Sequence, residues 1–305
     1  MNIQKLFKNM WNSYSNLNPH VNRVLELFEK HEGGPVKNDH IALRTFNHPR
    51  INRDVLAKSF LDSGYAPVEN LKFEKKKLDA TYYIHDDSDL TRVFISELKL
   101  EEFSSDLQST INSMIDQITD DELNKYDLCN SGVLWEMITK DTYEKLRNVS
   151  EYAAWVATFG FIVNHFTISV TDCESFENLE QVNSFLKDNG FRVNDSGGEI
   201  KGSVEQGLEQ SSIMSEDVSI KFSPSGSGKT NVPGCYYEFA LRHNGFDGFI
   251  AGSADKIFES TDNIKSKSKK NCILTSEDSP DYDADGNRIP LPKINMTREQ
   301  WERLR

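Results

Sequence analysis

The chain has 305 residues, a net charge of −13 and 37% hydrophobic residues, with 18 Phe, 10 Tyr and 4 Trp, enough for a packed core. That acidity argues against a general nucleic-acid binder and against adhesion to an anionic membrane, and no apolar run approaches the length of a membrane span. The N-terminus lacks the apolar core and cleavage site of a signal peptide, and Cys129, Cys173, Cys235 and Cys272 form no C-x-x-C pair, so a reducing cytoplasm is expected.

Residues 1–34 read as an N-terminal helical cover without chemistry of its own. Leu6, Phe7, Met10, Trp11 and Tyr14 recur at helical spacing, Asn18-Pro19 breaks the run, and Val21, Val24, Leu25 and Phe28 resume it. Gly33-Gly34-Pro35 then delivers the chain to a first module, 35–101. It opens on a strand, Asn38 to Phe46, in which His40, Ala42 and Arg44 share one face. A small residue between a potential metal ligand and a fixed cation suits a lined cavity better than a packed core. Taken alone, His40 reads first as a satisfied core histidine and Arg44 as a surface ion-pair partner. A helical stretch over 53–63 follows, closed by Gly64, and then β-rich segments ending in Arg92 to Leu98, which carries Glu97.

Residues 102–158 read as a helical insertion. Its stripes are Leu107, Ile111, Met114, Ile115 and Ile118, then Trp135, Ile138, Tyr143 and Leu146, then Tyr152, Trp155 and Val156, all expected in the core. Trp155 to Gly160 is a candidate wall of the cavity.

A second module, 159–262, repeats the first. Its strand Phe161 to Val170 carries His165, a helical stretch over 176–189 is closed by Gly190, and the module ends in a strand, Cys235 to Arg242, that carries Glu238. In between, Gly197, Gly198, Gly202 and Gly207 punctuate a flexible connection, and Val218 to Phe222 alternates as a strand. Ser223 to Thr230 looks like a phosphate loop, but Ser223 stands where the first glycine belongs and no helix follows, so a hairpin loop is expected. In the tail, 263–305, Asp281 to Gly286 resembles the start of an EF-hand loop; Pro292 stands at its twelfth position, and an acidic turn is expected instead. Lys265 to Lys270 reads as a solvated loop, and Thr297 to Gln300 as the capping box of a short helix.

A βαβββ pattern written twice predicts an α+β fold: two modules side by side forming a cupped mixed sheet, with N-terminal helices and a helical insertion, in one compact catalytic domain. The candidate ligands are His40, Glu97, His165 and Glu238, one His and one Glu from each half. Two neutral imidazoles and a carboxylate suit a divalent first-row metal. Open coordination positions suit Fe(II) with an organic ligand and dioxygen, while zinc on the same ligands could run a hydrolysis. Spacing does not separate the two.

Four motifs carry a resemblance: His40-Ile41-Ala42-Leu43-Arg44-Thr45-Phe46, Val163-Asn164-His165-Phe166-Thr167, Tyr236-Tyr237-Glu238-Phe239-Ala240-Leu241-Arg242, and Gly248 to Thr261. Together they resemble the family once called domain of unknown function 1338, the 2-oxoadipate dioxygenase/decarboxylases or 2-hydroxyglutarate synthases, related in fold to the vicinal oxygen chelate superfamily. The resemblance implies an Fe(II)-dependent conversion of 2-oxoadipate and O2 to 2-hydroxyglutarate and CO2, a step of lysine catabolism, with zinc or another divalent metal able to sit in purified protein. It also implies metal ligands at His40, His165 and Glu238 and a substrate-carboxylate arginine at Arg44. Glu97 is then a partner behind the ligands or a plain structural carboxylate. Characterised bacterial members are longer, with extra segments at the substrate pocket. The alternative is a metallohydrolase or other metalloenzyme on the same scaffold acting on another small carboxylic acid.

Overall fold

The structure is a computed structural model that describes residues 2–223 and 228–261. The expected features at 265–270, 281–286 and 297–300, the tail's relation to the site, and the middle of the 223–230 loop lie outside the described residues.

Two amphipathic helices come first, α1 (Ile3–Leu17) and α2 (His20–Glu32), interrupted at Asn18-Pro19 as expected. The first module is β1 (Asn38–Phe46), α3 (Arg53–Leu61), β2 (Ala66–Phe73), β3 (Leu78–Ile84) and β4 (Arg92–Leu98). The insertion holds α4 (Ser105–Ile115), α5 (Asp120–Leu123), α6 (Lys140–Val149) and α7 (Glu151–Phe159). Its second expected stripe is only half helical. Trp135 and Ile138 lie in an irregular segment before α6, and Trp135 is held by its indole N–H, which donates to the Ala157 carbonyl. The second module is β5 (Val163–Ser169), α8 (Leu179–Asp188), β6 (Lys201–Ser203), β7 (Leu208–Ser212), β8 (Asp217–Ile220), β9 (Thr230–Pro233) and β10 (Tyr236–Arg242), followed by α9 (Ala251–Ile257) and a 3-10 turn over Phe258–Thr261.

Eight strands form one mixed sheet in the order β2-β3-β4-β1-β5-β10-β7-β6. Within each module the first strand runs parallel to the last, β1 to β4 and β5 to β10, while β1 and β5 meet antiparallel at the centre. The doubled βαβββ pattern is therefore real, with the β8–β9 hairpin added to the second copy. Of the glycines read as a flexible connection, Gly202 and Gly207 instead belong to an edge hairpin, and Gly197 and Gly198 lie in the turn before it. Gly202 and Gly207 take φ of +86° and +84° in and beside β6 and β7, which turns a Gly-rich sequence into strand.

The central strands are buried on both faces. Residues of one parity meet α1 and α2: Phe166 packs on Trp11 and Tyr14 at 5.1 and 5.0 Å, and Phe239 stacks on Phe28 at 5.2 Å. The cover also pins the strand that carries Glu238. The Tyr14 hydroxyl donates to the Tyr236 carbonyl at 2.5 Å, and the Asn18 carboxamide accepts from the Cys235 amide at 2.8 Å. From the opposite side, the Trp155 indole N–H donates to the Gly234 carbonyl at 3.0 Å. Residues of the other parity face a cavity. Among the described residues no helix is long and apolar enough to cross a membrane, and Cys129, Cys173 and Cys235 are free thiols.

Candidate metal centre

His40 on β1, His165 on β5 and Glu238 on β10 come from three adjacent strands. Ala42 lies opposite His165 and His40 opposite Thr167, so the small Ala42 leaves room between the two imidazoles. One ligand atom from each of His40, His165 and Glu238 lies within 4.8 Å of the others, and all three side chains are buried. His165 Nε2 is 3.1 Å from Glu238 Oε2, and His40 Nε2 is 3.5 Å from Glu238 Oε1.

The outer ring nitrogens fix which atoms face inward. His40 Nδ1 is 2.7 Å from Asp39 Oδ1, and His165 Nδ1 is 3.2 Å from Asn164 Oδ1. Both partners are acceptors, so each Nδ1 carries the proton and each Nε2 presents its lone pair. Two lone pairs and a carboxylate then converge among buried side chains. Such an arrangement is repulsive until a cation stands between them, and the donor set fits a divalent first-row metal. Burial acts against the charged forms of both His165 and Glu238. It lowers the His165 pKa; for Glu238 it raises the pKa, but the neighbouring imidazoles and the bond from Gln210 outweigh it, and the carboxyl stays below its ordinary value.

A further layer holds these ligands. Asp39 is bridged by Arg242, whose Nε and one terminal nitrogen lie 2.6 and 2.9 Å from its two oxygens, and Arg92 adds a contact at 3.5 Å. Gln210 on β7 donates to Glu238 Oε1 at 2.5 Å. Thr167 Oγ1 lies 3.1 Å from His40 Nε2. Sequence reading named none of these. One signal was available: each of the two histidines is directly preceded by an acceptor, Asp39 or Asn164.

Glu97 fills the structural one of its two expected roles. In the parallel pairing of β1 and β4 it stands opposite Thr45, not opposite a residue of the His40 face. Its carboxylate accepts from the Arg53 amide at 2.9 Å, at the first turn of α3, on the helix-covered side of the sheet. The register shows why the repeat misled. His165 pairs with Tyr236 and His40 with Arg92, so the counterpart of Glu238 is Phe94, two residues beyond Arg92. Phe94 lines the same cavity. The first module thus supplies one ligand and an apolar wall.

The cavity is about 280 Å³ of space free of protein atoms, part of it open to solvent, above the three ligands. Aromatic rings dominate its walls; Phe249 meets His40 edge-on at 4.8 Å, and Tyr236 stacks on His165 at 4.6 Å. Arg44 does not itself line this space, though two lining residues, Tyr236 and Phe258, are its neighbours. Its guanidinium is 1% exposed and lies between the rings of Tyr152 and Trp155, at 5.0 and 5.1 Å. It makes two long contacts, 3.3 Å to Glu151 Oε1 and 3.3 Å to Thr261 Oγ1, and Nε has no partner. Trp155 and Phe159, expected in a cavity wall, line a second space of about 210 Å³ that also borders Glu151.

A cupped sheet of paired βαβββ modules is a glyoxalase-type fold, here with a buried two-histidine, one-carboxylate cluster that could hold a metal. A structure from Ralstonia eutropha provisionally placed in the glyoxalase superfamily shares the fold, with a TM-score of 0.66 at 20% identity over 81% of this chain and 85% of that one. The particular family follows from sequence. The model described as 2-oxoadipate dioxygenase/decarboxylase matches residues 6–245, and the chain belongs to that enzyme family. The Arabidopsis thaliana chloroplastic 2-oxoadipate dioxygenase/decarboxylase is 36% identical over 279 residues, 81% of this chain and 74% of that protein. The Oryza sativa hydroxyglutarate synthase, solved in complex with 2-oxoadipate, has a TM-score of 0.80 at 32% identity, covering 86% of this chain and 93% of that one. A Shewanella frigidimarina protein provisionally described as a hydrolase has a TM-score of 0.76 at 44% identity, covering 82% of this chain and 98% of that one.

Proposed function

We propose that this chain is an Fe(II)-dependent dioxygenase that converts 2-oxoadipate and O2 to 2-hydroxyglutarate and CO2, a step of lysine catabolism. The observation that carries this reading is the convergence of His40 Nε2, His165 Nε2 and a Glu238 oxygen in a buried cluster within 4.8 Å. It is supported by the likeness to the rice enzyme, whose bound ligand is 2-oxoadipate. In this reading His40, His165 and Glu238 hold the metal. When bound, the iron supplies a chelation site for a 2-oxo acid and activates dioxygen.

The chain's own residues do the rest. Asp39 and Asn164 hold the Nδ1 protons of the two imidazoles, so that Nε2 stays available. Gln210 orients one Glu238 oxygen. Phe94, Phe249 and Phe258 keep water from the reacting carbons. Arg44 binds the far carboxylate. Its planar fork suits a bidentate partner, and its two present contacts are long enough to yield to one. The rice structure extends over nearly the same length as this chain, so the longer bacterial segments are not needed to hold 2-oxoadipate in that relative.

The test is O2 uptake by full-length protein loaded anaerobically with Fe(II) and given 2-oxoadipate, beside His165→Ala. Stoichiometric CO2 and 2-hydroxyglutarate, lost in the variant, is the expected result. A metallohydrolase acting on another small carboxylic acid is the second reading, favoured by the description of the Shewanella protein. It predicts no O2 consumption by folded, iron-loaded protein.

A further inference from the structure

Among the buried polar atoms without a hydrogen-bond partner are Gln210 Oε1, Arg44 Nε and the Tyr236 hydroxyl, on or next to residues that line the cavity. Buried polar groups are normally satisfied, so unpaired ones beside a cavity are places where a ligand or water can complete the structure. Gln210 Oε1 is an acceptor at the metal end. The other two are donors, and they lie together.

Tyr236 opens β10 two residues before Glu238, so its side chain shares the cavity face with the ligand. Its ring lies on the His165 imidazole with centroids 4.6 Å apart and planes 28° from parallel, which limits where the hydroxyl can go. The hydroxyl stands beside the Arg44 guanidinium without a hydrogen bond of good geometry to it. It is a donor with a free proton next to a cation with a free N–H. Glu151, with its side chain 23% exposed, occupies one terminal nitrogen of Arg44 at 3.3 Å and leaves Nε open.

We propose that Tyr236 determines substrate specificity: its hydroxyl and the Arg44 guanidinium together grip the far carboxylate of a 2-oxo dicarboxylate, so that the site selects a dicarboxylic over a monocarboxylic acid of equal length. The choice of a six-carbon acid rests on the 2-oxoadipate reading; the paired donors do not. A hydrogen bond from a neutral hydroxyl to a buried carboxylate, and the rejection of a ligand that leaves such donors unpaired, is the kind of contact that gives large discrimination.

The test is calorimetric binding of adipate and of hexanoate to full-length, anaerobically Fe(II)-loaded protein, wild type beside Tyr236→Phe. Neither acid has a 2-oxo group, so the readout does not depend on turnover. Wild type is expected to prefer adipate. Tyr236→Phe should weaken adipate roughly ten- to a hundredfold and leave hexanoate within about twofold. Its melting temperature should hold, because the hydroxyl removed has no partner. Kinetics with 2-oxoadipate should show the same loss in KM with kcat nearly retained. Equal affinity of wild type for the two acids, unchanged adipate binding in Tyr236→Phe, or equal loss on both acids would each overturn the assignment. Adipate selectivity that depends on Tyr236 in a protein that consumes no O2 with 2-oxoadipate would sustain it while removing the proposed reaction.

Discussion

Asp39→Asn removes one charge and one acceptor position from the layer behind His40. The wild-type carboxylate is 1% exposed at its side chain and is shared by His40 Nδ1 at 2.7 Å and by Arg242 at 2.6 and 2.9 Å, with Arg92 at 3.5 Å. An amide presents one acceptor and two donors. If its oxygen stays on His40, its NH2 faces the Arg242 fork; if it turns to Arg242, the His40 proton loses its partner. The Arg242 side chain is only 8% exposed, so it is left as a nearly buried cation without its counter-charge. Breaking a buried pair in this way costs about 3–5 kcal/mol, taken at the lower end because Arg242 keeps the Phe246 and Gly248 carbonyls at 3.2 and 2.8 Å. For a chain of this size that is a fall in Tm of roughly 4–6 °C. Metal affinity should drop about ten- to a hundredfold, since the His40 tautomer is no longer fixed. Denaturant unfolding and anaerobic metal titration measure the two separately. Asp39→Asn combined with Arg242→Met should recover much of the stability and none of the metal affinity. A single variant within about 1 kcal/mol of wild type, or a double variant no more stable than the single, would refute the charge-pair argument.

Arg44→Lys should raise KM for 2-oxoadipate by tenfold or more, because an ammonium cannot reproduce the fork; near-normal kinetics would remove Arg44 from carboxylate binding. His20 lies under β10 with its side chain 6% exposed, and burial lowers its pKa to about 4 despite a bond to the Cys235 carbonyl. The folded-state value is below the unfolded one, so the unfolded chain takes up the proton first. The stability is fully present above about pH 6.5 and is lost as pH falls towards 4, about 2–3 kcal/mol in all. Urea unfolding from pH 7 to 4 should be shallower by that amount in His20→Gln, and parallel curves would contradict it. Gly160 links α7 to β5 at φ +66°, where an added Cβ would stand 2.1 Å from the Gly132 carbonyl oxygen. Gly160→Ala should cost more than about 3 kcal/mol, read as a loss of Tm or of soluble protein.

Much of the fold was legible because the repeat is periodic. The stretches around His40 and His165, each a strand before a helix closed by glycine, were readable from alternation and caps, and Gly64 and Gly190 do take φ of +98° and +87°. What failed were the elements that tertiary contacts define. The strands β6 and β7 are short, flanked by glycines and at one end of the sheet, so they carry little local signal; Gln210 was missed with them. Trp135 and Ile138 have helical spacing with the stripe that follows, yet Trp135 is fixed by a single indole bond to Ala157, which no window of sequence contains. Of the residues expected at the metal centre, three converge because the strand face was read correctly, and Glu97 does not because a parallel register is invisible until two strands are paired.

That register also explains how a doubled module makes an asymmetric site. If both copies used the same two positions, β1 and β4 would contribute a histidine and a carboxylate, as β5 and β10 do, and the four ligands would enclose the metal. Here the position that matches Glu238 holds Phe94, packed on Phe249 at 5.2 Å. The change removes one negative charge from a closed, water-poor space, where an unpaired carboxylate would be costly. It also replaces a ligand with a surface that can lie against the carbon chain of an acid. Three ligands with an apolar fourth side suit a centre that must admit two further groups, whereas four ligands suit a centre whose task is structural. The duplicated strands supply the scaffold, and in the proposed reading Phe94 marks the side on which a bound metal would stay open to a ligand.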